Sequence, residues 1–217
     1  MTTFLTTILM YNKHEYSEGD IAMNSRDKQA EKTKNAILEV ASENFLSQGY
    51  QATSTRKIAQ ALDITQPNMY HYYKNKKVLY IKSIEHAIGG FSEALYKTYD
   101  DNQDKPFEEM LLTISTFIIE NFKINYFMMM HDINTFFSDE EKKTIGETWD
   151  VGYYKVLNNV FEDHKDELRT DLPLPAQVGT FLTMLLPYIE YNDAKRKRNI
   201  ANLGTMVRIF IHGIKKD

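Results

Sequence analysis

Apolar residues recur at helical spacing through most of this chain, and short polar stretches separate them. Ile37, Val40, Ala41 and Phe45 share one face of a helix expected over residues 28–48. Gly49 follows the last periodic position, where glycine takes left-handed cap geometry without steric cost, and Tyr50 is placed to pack back on the helix end. Ser54 is a good N-cap for a short helix over 55–62, with Ile58, Ala59 and Leu62 inward. Asp63, Ile64 and Thr65 make a turn. A second short helix starts near Gln66 with Pro67 in its first turn, where the missing N–H costs nothing. Met69 and Tyr70 are its expected inward anchors, which leaves Gln66, Asn68, His71 and Tyr72 facing outward.

A long helix is predicted over 76–99, interrupted by Gly89-Gly90, where a bend or a close approach is expected. Residues 100–106 form a polar break and the first plausible linker. Further helices are predicted over 107–122, 125–137, from Ser138 to about 164, over 176–192 and over 198–213. Ser138-Asp139-Glu140-Glu141 has the spacing of a capping box. Residues 172–175 read as a loop. With 9 Gly, 5 Pro and no regular alternation, nothing points to strands.

Two short helices around a three-residue turn, followed by Lys74, Lys76 and Lys77, form a helix-turn-helix suited to the DNA major groove. A net charge of −4 seems wrong for such a role until it is divided along the chain. Residues 26–82 carry ten Lys or Arg against five acids, whereas residues 83–217 carry fifteen against twenty-two. The positive field is thus concentrated where phosphate binding needs it. Lys28, Lys32 and Lys34 lie in the first half of the first helix, within reach of the same phosphates.

The absence of cysteine excludes disulfides, Cys-ligated zinc, iron–sulfur clusters and thiol catalysis, and suits a cytoplasmic protein. No apolar run approaches the roughly 18 residues of a membrane span. The apolar start has no basic residues before it and no small-residue cleavage site, so it does not read as a signal peptide. Residues 1–26 are expected to be a mobile arm or an upstream extension, with Met1 and Met23 both open as starts.

The residues Thr55-Arg56-Lys57-Ile58-Ala59-Gln60, then Gln66-Pro67-Asn68-Met69-Tyr70, then Lys74-Asn75-Lys76 resemble the tetracycline-repressor (TetR) family of bacterial regulators. The resemblance covers about residues 30–80. It implies an all-α fold in which a three-helix DNA-binding domain, residues 27–75, is joined by a long helix to an all-helical ligand-binding and dimerisation domain, residues 76–217. It implies that Thr55 and Tyr70 hold phosphates and that Arg56 reaches a base edge. Gln66, Pro67, Asn68 and Tyr72 would face bases, and Lys76 would clamp phosphate. Ser54, His71 and Lys74 complete the expected DNA-contacting set. Arg56 has the donor fork that matches guanine, and Gln66 can pair with adenine. Asp63 stands where the family usually has Gly, and Asp tolerates left-handed geometry better than most residues. His71 and Tyr72 also depart from common choices, so the operator sequence does not carry over.

The Met and aromatic residues from Phe117 to Tyr154 suit either an apolar ligand pocket or plain core. Phe117, Tyr126, Met130, His131, Trp149 and Tyr153 are the expected ligand contacts. His131-Asp132 points apart on a helix, and no second His lies at metal-ligand spacing, so neither a metal nor a cofactor is expected. The family's last two helices build a dimer interface, which here implicates Leu182, Leu186, Ile189, Leu203, Val207 and Phe210. The basic run Lys195-Arg196-Lys197-Arg198 reads as a solvated loop between them. The resulting expectation is a non-enzymatic, homodimeric repressor. It would bind a near-palindromic double-stranded operator and be released by a small, apolar effector. The alternatives are a constitutive DNA-binding protein without a ligand, or a helical carrier or enzyme.

Overall fold

A computed structural model describes residues 25–122, 125–149, 154–189 and 192–215 of the chain. Among these, ten α-helices carry the fold: α1 (Ser25–Ala52), α2 (Thr55–Ala61), α3 (Gln66–Tyr72), α4 (Lys76–Asp100), α5 (Phe107–Asn121), α6 (Tyr126–Phe136), α7 (Asp139–Trp149), α8 (Lys155–Asp163), α9 (Leu174–Leu185) and α10 (Asp193–Ile214). Short 3-10 turns follow α8 and α9. The fold is all-α; the described residues contain no strand, only an isolated bridge between Leu168 and Lys215.

The helix starts have identifiable chemical causes. The Ser54 hydroxyl accepts from the Lys57 N–H at 3.4 Å, and Thr65 accepts from Asn68 at 3.3 Å. Asn75 caps α4 by accepting from Val78 at 2.9 Å. At α7 the expected capping box is reciprocal: Ser138 N–H donates to Glu141 at 2.7 Å, and Glu141 N–H donates to the Ser138 hydroxyl at 3.3 Å. Gly49 takes φ 84° and ψ 171°, which ends the regular part of α1 and turns the chain toward α2.

Three boundaries differ from the periodicity reading. Residues 176–192 do not form one helix: α9 begins at Leu174, and Pro187, which has no N–H to continue the ladder, falls in a 3-10 turn at Leu186–Tyr188. The basic run Lys195–Arg198 is helical rather than loop, because the Asn192 side chain accepts from the N–H groups of Ala194 and Lys195, both at 3.1 Å, and starts α10 upstream of it. α4 passes through Gly89-Gly90 without interruption.

The described residues form two compact units that divide inside α4: those within 25–90 and 127–148, and those within 91–126 and 149–215. In the first, Ile37, Ala41 and Phe45 of α1 are buried together with Ile58 and Ala59 of α2, Met69 of α3, and Leu79, Tyr80 and Ile84 of α4. The Ser42 hydroxyl donates to the Ser83 carbonyl at 2.9 Å, tying α1 to α4 through a buried contact. Segment 127–148, which holds most of α6 and α7, packs within this unit. The Tyr50 ring lies 5.2 Å from that of Phe136 and 5.3 Å from that of Phe137, and Lys77 pairs with Glu141 at 3.2 Å. In the second unit α10 packs against α5, and the rings of Phe107, Phe161, Phe181 and Phe210 make a continuous cluster with centroids 5.0 to 6.0 Å apart.

Candidate nucleic-acid interface

The helix-turn-helix is built from α2, a four-residue turn and α3. Asp63 sits at φ 53°, the one non-glycine with positive φ among the described residues. Its N–H donates to the Gln60 carbonyl at 3.2 Å, and Ile64 N–H donates to the Ala59 carbonyl at 3.1 Å. This pair of bonds is a Schellman cap. It closes α2 and aims the chain back along α3, with Asp in the position that most often falls to glycine. Ala59 is 1% exposed, and Met69 of α3 is fully buried. A small residue and a flexible one thus let two short helices approach closely.

Polar groups fix the shared end of the two helices. The Gln66 side-chain amide donates to the Thr55 hydroxyl at 2.8 Å, and the Tyr70 hydroxyl lies 3.0 Å from the same oxygen. Thr55 is buried, while Gln66 and Tyr70 are half-buried. In the free protein, therefore, Gln66 spends its amide on the scaffold; its expected base contact requires that bond to open or be shared.

Arg56, Pro67, Asn68, His71 and Lys74 are exposed, and Ser54 is half-buried as the cap of α2. Tyr72 differs. It lines a cleft of about 490 Å³ together with Lys34, Tyr73, Lys82, Glu85 and His86, so its ring is partly turned into the unit. Burial holds the His86 imidazole below its ordinary value and pushes the Tyr73 phenol well up; the Tyr73 hydroxyl donates to the Lys34 carbonyl at 3.1 Å. Lys76 is half-buried, with its ammonium 4.7 Å from the Tyr50 ring centroid and 3.3 Å from the Gln51 carbonyl. Burial lowers its pKa, and the Asp132 carboxylate works against that shift.

The other expected contacts are placed unevenly. Phe117 and Tyr126 are half-buried in the unit of residues 91–126 and 149–215; Met130 is half-buried in the other unit. His131 lies on the exposed side of α6, opposite the buried Met129, Asp132 and Ile133. The Trp149 side chain and all of Tyr153 lie outside the described residues. Of the expected dimer set, Ile189, Leu203, Val207 and Phe210 are at most 8% exposed within the chain's own packing. That packing already uses these four side chains as core, which leaves Leu182 and Leu186 half-buried at the surface. Ile209 of α10 is 64% exposed.

Two helices joined by a tight turn, with an exposed polar face, a buried seam and surrounding lysines, define a DNA-binding helix-turn-helix on an all-helical protein. Residues 37–82 match the family model described as bacterial regulatory proteins, tetR family. Over 69 residues the chain is 32% identical to the biofilm operon icaADBC HTH-type negative transcriptional regulator IcaR of Staphylococcus epidermidis; the match covers 32% of this chain and 37% of that protein. In fold, the chain is similar to the fatty acid degradation regulator FadR from Bacillus halodurans, with TM-score 0.64, 15% identity, and coverage of 82% of this chain and 94% of that one. It is likewise similar to the transcriptional regulator FadR from Bacillus subtilis in complex with stearoyl-CoA, with TM-score 0.65, 16% identity, and coverage of 83% and 98%. The likeness to the tetR family of bacterial regulatory proteins lies in residues 37–82, the segment that holds α2 and α3.

Proposed function

We propose that this chain is a homodimeric transcriptional repressor that binds a near-palindromic double-stranded operator in the bacterial cytoplasm and is released by a small, apolar effector. The observation that carries the reading is the exposure of Arg56, Pro67, Asn68 and His71 on a helix pair braced by the Thr55, Gln66 and Tyr70 side chains. Rigid presentation of side chains is what base-edge readout in the major groove requires. Lys74 and Lys76 contribute phosphate contacts, which set position and register.

The reading assigns DNA contact to residues 27–75 together with Lys76 at the start of α4, and effector binding and dimerisation to the rest of residues 76–217. Repression is supported by the 32% identity over 69 residues to the negative regulator IcaR. An apolar effector is supported by the apolar helical portion of the chain and by the stearoyl-CoA held by FadR of Bacillus subtilis, a protein of the same fold. Pairing of two chains uses the exposed edge of α9 and α10 around Leu182, Leu186 and Ile209, because the other apolar positions are already core.

The test is a gel shift on DNA flanking the chain's own gene, followed by challenge of the complex with fatty acyl thioesters and other apolar compounds. A sequence-specific complex released by one of them is the expected result. A complex that no compound disturbs would favour a constitutive DNA-binding protein.

A further inference from the structure

Asp132 is a carboxylate at 4% exposure on α6, in a setting where an ionised acid is costly unless it is paired. Its Oδ2 accepts a hydrogen bond from the Tyr50 backbone N–H at 2.6 Å, across 82 residues of sequence. That N–H belongs to the joint between α1 and α2, immediately after Gly49. A Cβ at Gly49 would stand 2.9 Å from the same Asp132 oxygen, so glycine is what lets the carboxylate reach the joint.

The joint also holds Lys76. The Tyr50 ring is fixed by Phe45, Tyr80, Phe136 and Phe137, with centroids 5.2 to 6.3 Å away. The Lys76 ammonium lies above that ring, and the next residue, Gln51, gives it a carbonyl. Asp132 thus fixes the backbone whose ring and carbonyl fix the lysine.

We infer that Asp132 is a positioning residue for DNA binding: it touches no DNA, but through the Tyr50 N–H it holds the platform from which Lys76 meets a phosphate. The inference rests on the DNA-binding reading above. It places part of the phosphate clamp's geometry under the control of α6, a helix outside the helix-turn-helix.

The experiment measures affinity against salt concentration for a duplex selected from a random pool by the wild-type chain, and for a scrambled duplex of equal length. Asp132→Ala is expected to weaken binding to both by roughly tenfold. It should flatten the salt slope by about one unit, as the loss of one phosphate contact does. In a Lys76→Ala background the same substitution should add less than about twofold, since coupled residues are not additive. A merely structural role predicts the opposite: equal losses in both backgrounds and an unchanged slope, which would overturn the inference.

Should Asp132→Ala not fold, two other variants carry the test. Asp132→Asn keeps an oxygen acceptor for the Tyr50 N–H and should keep the wild-type slope. Tyr50→Leu keeps the N–H but removes the ring, and should flatten it. A flattened slope in the first or an unchanged one in the second overturns the inference. If the wild-type chain prefers no duplex, the regulator reading falls and this inference with it; wild-type preference with unmoved variants sinks the inference alone.

Discussion

The hydroxyls of Thr55 and Tyr70 lie 3.0 Å apart, joining the first residue of α2 to the middle of α3. Gln66 donates to the same Thr55 oxygen, so three side chains brace the helix-turn-helix at one end while Ala59 and Met69 fill its seam. Two helices of seven residues each are too short to be stable alone. The brace and the seam explain how such short elements hold Arg56 and Asn68 in a fixed relation.

Arg56 is exposed beside that brace. Arg56→Ala should weaken binding to the preferred duplex by ~1–3 kcal/mol and relax the preference at one base pair. Titrations against single-base variants of the duplex check this. A uniform loss on every sequence would assign Arg56 to phosphate instead.

Gly49 occupies a backbone region that is almost exclusive to glycine, at φ 84° and ψ 171°. A side chain there would also meet Asp132 Oδ2 at 2.9 Å and Met128 Sδ at 3.0 Å. Gly49→Ala should cost about 1–3 kcal/mol of stability in urea unfolding, from backbone strain before any loss of packing. Unchanged stability would mean that the joint relaxes freely, which the buried Asp132 contact argues against.

Part of this structure was legible in the sequence and part was not, for physical reasons. The reader was legible because its signals are local: Ser54 before α2, Pro67 in the first turn of α3, and Asp63 in the turn all act within a few residues. The association of α6 and α7 with the reader was not, because it rests on contacts far apart in sequence: Asp132 with the Tyr50 N–H 82 residues away, Tyr50 with Phe136 and Phe137, and Lys77 with Glu141. Periodicity also finds an apolar face without saying what covers it. Val207 and Phe210, expected from periodicity at a dimer interface, are buried in the chain's own core. The charge run at Lys195 concealed a helix start that Asn192, two residues before Ala194, provides.

Exposed apolar side chains, not buried ones, should control pairing of chains. Ile209→Asp combined with Leu186→Asp should yield folded monomers in light scattering. Phe210→Asp should instead unfold the helical unit, since its ring packs 5.0 Å from that of Phe181 and the side chain is 4% exposed. Dimers that survive the Ile209 and Leu186 changes would place the interface elsewhere.

His86 makes stability depend on pH. Burial lowers its pKa from 6.5, so the unfolded chain takes up the proton first as pH falls. Its contribution is complete above about 6.5 and is lost as pH drops through that value toward the lowered folded one. Between pH 7.5 and 5.5 the wild-type chain should therefore lose more stability in urea unfolding than His86→Gln. Parallel curves for the two proteins would remove His86 as the cause.

Sequence reading by the α2–α3 pair is directly measurable. Its most direct measurement is the affinity of the wild-type chain for DNA flanking its own gene relative to scrambled DNA of equal length and charge, at a fixed salt concentration. Specific readout predicts preferential binding by at least about a thousandfold, the lower range for sequence-specific proteins. Equal affinity for both duplexes, falling together as salt rises, would contradict it.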